Sequence, residues 1–548
     1  MRVADFFCGG GGFSEGFRQA GFQIVFAVDK WKPAVTTYKG NKPGVNVLLD
    51  DVIRISNLED EEFERKVPDS EVIIGSPPCQ AFSQSNKSGN ADKTLGIQLI
   101  EAYLRIVARK KFKHNSILKY WVLENVPNSQ KYIKEKYTAK DLGLEGDFIL
   151  CTRCQAAGIY NAKNFGAPTN RKRFLCGDFP VLEKTHTDDE AVKLKTVLDS
   201  LGDPLAKGEF EITDINYPDL VLSNHQVTDF RYIHELAPFE WQTAKRLKQD
   251  KGYMGKMSFP ENENNPARTV MATMSASSRE AMILRYKQDR YRLPTVREAA
   301  SMMSFPIDYR FYGSTKGIKH TLVGNAVPPK LSYAVAKAIA KDSGIRIPKR
   351  YIPIQHDPKI EFIDLNGSII PIKTEKPRRD VAKFKYHIPY LILNAYRVEL
   401  TNYHSDFEGK NFQWDAELHY SQGKKKAAVY KFDVTKDLID EKYIKPIEKY
   451  INNMEKHLFS FNDFQKVYCK TTVQRKAKSE LGPYELLDDV RGFIDQLIIP
   501  SEREVMRPVD NELIELPNAI IVGYYLLQQL VKRMGEKVDG CDNKEKQA

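Results

Sequence analysis

The chain has 548 residues, enough for about three or four domains of ordinary size, and 42% of them are hydrophobic against 28% charged. With 27 Tyr and 28 Phe there is ample material for packed cores, which excludes wholesale disorder. The 83 Lys and Arg against 72 Asp and Glu leave a formal charge of +11, which suits a polyanionic partner without naming one. The seven cysteines are too few for a disulfide scaffold, and reduced thiols in a cytoplasmic setting are expected. Met1 to Phe7 lacks the apolar stretch of a signal peptide. No apolar run reaches the roughly 18 residues of a membrane span, and the longest late stretch, Ala519 to Val531, is broken by Gly523, Gln528 and Gln529.

In chain order, Arg2 to Phe7 reads as a buried strand that runs into a glycine turn, Cys8 to Gly12. Phe13, Phe17 and Ala20 follow at helical spacing. Further strands are predicted at Phe22 to Val28, Asn46 to Asp51, Glu71 to Gly75 and Tyr120 to Glu124. Helices are predicted near Pro33 to Tyr38 and Ala102 to Ala108. This alternation predicts an α/β fold of Rossmann type, a mostly parallel sheet covered by helices on both faces. The rhythm weakens from about 180 to 290 and returns over 291–345, ending in a helix from about Pro329 to Lys341. Beyond 350 the texture changes to an α+β extension, β-rich over His387 to Asn402 and Asn411 to Tyr430, helical over Ile439 to Leu458 and Ala519 to Met534.

A strand, glycine turn and helix form a nucleotide-type site, because glycines allow close approach of a ligand to the backbone beside a helix N-terminus. Asp29 ends the second strand, where a carboxylate can accept from ribose hydroxyls, and Asp51 ends the third. No Gly-Lys-Ser/Thr follows the glycines, which disfavours a phosphate-binding P-loop. In Gly75-Ser76-Pro77-Pro78-Cys79-Gln80 a strand ends, two prolines stiffen its exit, and a cysteine follows. That placement, at the edge facing the ligand crevice, favours a nucleophile over a packed thiol. The polar stretch Gln80 to Gly96 has the composition of a lid or of a plain surface loop. Glu124, in Leu123-Glu124-Asn125-Val126-Pro127, ends a strand on the same edge. Cys151-Thr152-Arg153-Cys154 supplies two thiols where a structural zinc needs four ligands, so no metal is expected.

Together these pieces resemble the carbon-5 cytosine-specific DNA methyltransferases of restriction–modification type. The matching runs are Asp5-Phe6-Phe7-Cys8-Gly9-Gly10-Gly11-Gly12, Pro77-Pro78-Cys79-Gln80, Glu124-Asn125-Val126, Asn170-Arg171-Lys172-Arg173, Arg297-Glu298 with Phe305-Pro306, and Gly324-Asn325-Ala326-Val327-Pro328-Pro329. They occur in the family's order over about residues 1–345. The resemblance implies S-adenosylmethionine as cofactor, lined by Phe7, Gly9, Gly11 and Pro77, with Asp29 on the ribose, Asp51 near the adenine and Asn325 closing the site. It implies that Cys79 attacks carbon 6 of a flipped-out cytosine, that Glu124 binds the amino edge and ring nitrogen 3, and that Arg171 and Arg173 hold the base carbonyl and support Glu124. The family's usual glutamine two residues before the first arginine is Thr169 here, which puts the detail of that loop in doubt. Cys8, where the family often has a small residue, reads as packing.

The expected organisation is a catalytic and cofactor-binding domain over 1–180, a target-recognition region over 181–290, a return to the catalytic domain over 291–347, and an accessory domain over 348–548. Lys245, Arg246 and Lys248, with Lys251, Tyr253 and Lys256 nearby, form a basic cluster read as a DNA contact, and Ser85 in the polar loop is a further one. The expected partner is double-stranded DNA, met by a monomer and paired in function with a restriction endonuclease. Because the chain opens at the cofactor strand, without the regulatory modules of large eukaryotic relatives, a prokaryotic modification enzyme is expected. The alternatives are a tRNA cytosine-5 methyltransferase of the same fold and a non-catalytic DNA-binding relative. Intact Cys79, Glu124, Arg171 and Arg173 argue against the last.

Overall fold

The computed structural model describes residues 1–79, 82, 93–249, 256–421, 428–500, 504–509 and 512–539. The chain forms two compact units, one of Met1–Leu236 with Phe259–Ile372, the other of Ala237–Ser258 with Lys373–Ala548. Among the described residues no helix is long and apolar enough to cross a membrane.

The first unit is built on strands β1 (Arg2–Phe6), β2 (Gln23–Asp29), β3 (Asn46–Leu49), β4 (Val72–Gly75), β5 (Tyr120–Asn125), β6 (Gly158–Asn161) and β7 (Lys172–Asp178). They form one seven-stranded sheet in the order β3-β2-β1-β4-β5-β7-β6. β1 to β5 are parallel, while β7 runs antiparallel to both β5 and β6. Both faces are buried, as the near-continuous apolar runs require. Val3, Val72, Ile74 and Val122 face one core, and Ala4, Phe6, Ile73, Trp121 and Leu123 face the other. The register brings Phe6 beside Gly75 and Gly75 beside Leu123, so the exits of β1, β4 and β5 share one edge.

Helices α1 (Gly12–Gln19), α2 (Lys32–Asn41), α3 (Lys93–Lys111), α4 (Lys316–Asn325) and α5 (Pro329–Asp342) cover this sheet and its flank. α5 lies directly on α1. A Cβ on Gly16 would come within 2.3 Å of the Tyr333 backbone nitrogen and 2.5 Å of the Pro329 carbonyl oxygen, so only glycine admits this approach. A third core, with Val197, Ile212, Phe230, Met302, Phe305 and Phe311, consolidates residues from about 194 to 323. Fully buried Arg297 ties it together by donating to the carbonyls of Thr228, Pro306 and Tyr309. The stretch 348–372 belongs to this unit as well: Arg18 and Gln19 of α1 donate to the Ile352 carbonyl, and Tyr351 donates to Asp308.

The second unit contains a four-stranded antiparallel sheet of β8 (Lys385–Leu393), β9 (Tyr396–Thr401), β10 (Asp415–Tyr420) and β11 (Ala428–Tyr430), in sequential order. One face packs Ile388, Val398, Leu400 and Leu418 into a core shared with helices α6 (Glu441–Glu455), α7 (Pro483–Gln496) and α8 (Asn518–Gly535). The region expected at 181–290 is divided between the units, because the helix Pro238–Gln249 packs with the second. Arg246 of this helix bonds Asp488 at 2.8 Å and lies over the Tyr484 ring. Lys248 is fully buried, which corrects its reading as a phosphate contact, since a buried ammonium presents no charge at the surface. Only Lys245 of the three is exposed. Lys251 and Tyr253 lie outside the described residues.

Candidate active site

The shared edge of β1, β4 and β5 opens on a cavity of about 350 Å³ lined by Phe7, Gly9, Asp29, Trp31, Pro77, Cys79, Glu124, Arg173 and Asn325, among others. Each side chain arrives there for a local reason. Phe7, at the exit of β1, takes a left-handed φ of 55° that turns the chain into the glycine run. Gly9 follows with φ 50°, and nothing lies within 4 Å of where its Cβ would be, so its face stays open to the cavity. Asp29 fixes this turn by accepting from the Gly9 amide at 2.9 Å and the Trp31 amide at 2.8 Å. Burial raises its carboxyl above the ordinary range.

Ser76 continues the ladder by donating its amide to the Phe6 carbonyl at 3.2 Å. Pro77 and Pro78 then restrict the backbone, and the Pro77 carbonyl accepts from the Asn125 side chain at 3.0 Å. The prolines, and with them Cys79, are thus tied to the strand that carries Glu124. Glu124 is 3% exposed and held on both sides. Ser76 Oγ donates to its Oε2, and Arg173 Nε lies 2.8 Å from its Oε1. The antiparallel pairing of β7 with β5 sets Leu175 opposite Glu124 and brings Arg173 to the same edge. Burial raises the Cys79 thiol above its usual range; Arg173 lowers it, Glu124 raises it, and Arg171 lowers it.

A thiol on a rigid loop, a buried carboxylate clamped by a guanidinium, and an open glycine turn with an acidic strand end all line one cavity. A family model for C-5 cytosine-specific DNA methylases matches residues 1–341. The chain belongs to that family. It is 29% identical over 350 residues to the type II methyltransferase M.MthTI of Methanothermobacter thermautotrophicus, covering 62% of this chain and 98% of that protein. It is 28% identical over 352 residues to the type II methyltransferase M.NgoPII of Neisseria gonorrhoeae, covering 62% and 96% respectively. The solved Dnmt2 methyltransferase of S. pombe aligns at 18% identity and a TM-score of 0.40, covering 63% of this chain and 99% of its own.

Three of the expected site residues lie outside the cavity lining. Arg171 does not join Arg173 in lining the cavity. It is buried away from the cavity lining and donates to the carbonyls of Val270 at 3.1 Å, Gly324 at 2.8 Å and Ala326 at 3.1 Å. It therefore brackets Asn325 and hangs that segment on the end of β7. Burial and the neighbouring Arg173 lower its guanidinium below the usual arginine range. Asp51 also lies outside the lining. Its Oδ1 accepts from the Ile53 amide and caps the short helix Val52–Ser56, and its Oδ2 is 4.0 Å from Lys30. Gly11 caps α1 at φ 84°, where a Cβ would meet the Tyr309 hydroxyl at 2.6 Å, so it shapes the turn without lining the cavity.

Thr169 is fully buried and donates to the Arg268 carbonyl at 3.2 Å, beside a short parallel pairing of Thr169–Asn170 with Ala267–Arg268. Cys8 is buried in the core but also borders the cavity. Ser85 lies outside the described residues. Sequence reasoning missed Ser76, whose signal was its place just before Pro-Pro-Cys. It also missed Tyr309, which donates to the Gly10 carbonyl and steadies the turn from 299 positions away.

Proposed function

We propose that the 350 Å³ cavity is where this DNA (cytosine-5-)-methyltransferase binds S-adenosylmethionine and a cytosine swung out of the duplex. The open face of Gly9, the aromatic walls of Phe7 and Trp31, and the carboxylate of Asp29 suit an adenosyl cofactor, with Pro77 and Asn325 at its boundaries. S-adenosylmethionine bound there supplies the methyl group.

The chain's own residues do the rest. Cys79 Sγ adds to carbon 6 of the base, and the thiol proton leaves as the carbon–sulfur bond forms. Glu124 engages ring nitrogen 3 and the amino group, where electron density accumulates during the addition, while Arg173 holds the carboxylate in place. With carbon 5 methylated, loss of its proton and expulsion of the sulfur restore the aromatic ring and the free thiol. Arg171 acts as a positioning residue that keeps the Asn325 segment against the cavity. The substrate is duplex DNA, bound by a monomer in the cytoplasm, and the activity is paired with a restriction endonuclease that spares methylated sites.

The observation that carries this reading is the joint lining of one cavity by Cys79, Glu124 and Arg173 next to the glycine turn. Wild-type protein, given cofactor and duplex DNA containing 5-fluorocytosine, should form a covalent complex visible by denaturing electrophoresis, because fluorine blocks the final proton loss. Cys79→Ser should form none while retaining cofactor binding. Covalent capture by the serine variant, or labelled methyl transfer to tRNA in place of DNA, would overturn the assignment.

A further inference from the structure

The polar face of the sheet in the second unit holds an arrangement that cytosine methylation does not use. Glu399 on β9 and Glu417 on β10 are directly opposed cross-strand partners, and both are buried, at 5% and 4% exposure. Like charges set opposite one another destabilise a sheet. His419, two residues along β10 and on the same face, is 3% exposed. Its Nε2 lies 2.8 Å from Glu417 Oε2 and 3.2 Å from Glu399 Oε2. The three donor atoms fall within 4.8 Å of one another.

Cationic side chains surround the arrangement without giving every carboxylate oxygen a hydrogen bond. Arg397 holds Glu399 Oε1, while the buried Glu399 Oε2 makes no hydrogen bond and has only ion-pair contacts, with His419 Nε2 at 3.2 Å and Lys385 Nζ at 3.4 Å. Lys431 Nζ and His404 Nε2 reach the outer oxygen of Glu417, each at 3.5 Å. On the inner side, Lys385 Nζ stands 3.4 Å from Glu399 Oε2 and 3.2 Å from Glu417 Oε2, on a side chain 32% exposed. A purely structural ion-pair network places a donor on each buried oxygen. Here Glu399 Oε2 has no hydrogen bond, and the ammonium that faces both carboxylates, Lys385, is on a partly exposed side chain.

We propose that Glu399, Glu417 and His419 bind a divalent transition-metal cation, with Lys385 as the charge that the cation displaces. One nitrogen and two carboxylate oxygens suit Mn²⁺ or Zn²⁺. Three protein ligands leave coordination positions for water or for an anionic oxygen of a partner molecule. Cysteine spacing gave no hint of the site, because its ligands are assembled by strand register and not by a sequence motif.

The test titrates Mn²⁺ into the full-length, chelator-stripped chain and follows the signal of the free aquated ion by electron paramagnetic resonance. Wild type should bind about one equivalent. Glu399→Gln and His419→Ala should each weaken binding about tenfold or more. Lys385→Met should strengthen it about fivefold, because it removes a like charge near the cation. Circular dichroism establishes whether each variant is folded. If His419→Ala is not, the wild-type stoichiometry and the opposite responses of Glu399→Gln and Lys385→Met decide. A wild-type chain that binds no Mn²⁺, or variants that all bind as wild type does, would overturn the proposal.

Discussion

Burial holds the Cys79 thiol above its ordinary range, Arg173 draws it down, and Glu124 pushes it up. These opposed neighbours give mutations of opposite sign. Alkylation of Cys79 by iodoacetamide, followed by peptide mass spectrometry, should rise with pH and reach its midpoint above the ordinary thiol value of about 8.5. Arg173→Ala removes a favourable charge and should move that midpoint higher. Glu124→Gln removes an unfavourable one and should move it lower, while turnover falls about a hundred- to ten-thousandfold. A Glu124→Gln profile shifted upward would contradict the geometry. That Cys79, Glu124 and Arg173 would line one cavity was legible in the sequence, because each stands at or just beyond a strand end in a short local pattern. The contacts of Arg171 were not legible, since its carbonyl partners lie 99 to 155 positions away. The capping role of Asp51 was in principle readable, because its acceptor bond goes only two residues ahead.

The α1–α5 contact shows what an element can demand of one residue. Gly16 faces backbone atoms at 2.3 and 2.5 Å, and backbone cannot rotate aside as a flexible side chain would. Gly16→Ala should lower stability by about 1–3 kcal/mol, read as a reduced denaturant midpoint, with overpacking as the cause. An unchanged midpoint would mean that α5 shifts freely. In the helix Pro238–Gln249 the lysines separate by task. Lys245→Ala should reduce the salt slope of DNA binding by about one unit if that face meets phosphate, whereas Lys248→Ala should act on stability and leave the slope alone. A changed slope for Lys248→Ala at unchanged stability would refute this division. Most strands of the first sheet, and the helices α5, α6 and α8, were legible from apolar runs and periodicity. The helices Phe461–Cys469, Thr472–Ala477 and Pro483–Gln496 were not, being masked by polar surroundings. Their start signals were present all the same: Ser460 caps the first, Thr471 and Gln474 form a capping box on the second, and Pro483 opens the third.

At the scale of the whole molecule, the family model stops at residue 341, and the second unit carries basic residues with no assigned task. Lys376, Arg379, Lys476 and Lys478 are exposed, whereas Arg475 is buried and pairs with Glu485 at 2.7 Å. If this unit widens the DNA footprint, replacing the four exposed residues with glutamine should flatten the salt dependence of DNA binding, by about 0.9 for each phosphate no longer neutralised. Cofactor affinity should not change. Identical slopes in matched isotherms would make the unit a bystander to DNA. The switch in texture near residue 350 was legible, but the boundary that packing sets at Lys373 was not, because the tie of 348–372 to α1 and Asp308 is made of long-range hydrogen bonds.

The helix Pro238–Gln249 is loaned by one half of the chain to the other: its residues lie between segments of the first unit yet bond Asp488, Tyr390 and Lys373 of the second. A gene for such a protein cannot be cut once and yield two whole parts. Any exchange of residues 237–258 between relatives would have to bring a matching C-terminal half along, or leave that half with an open seam. The two halves are therefore expected to be inherited together.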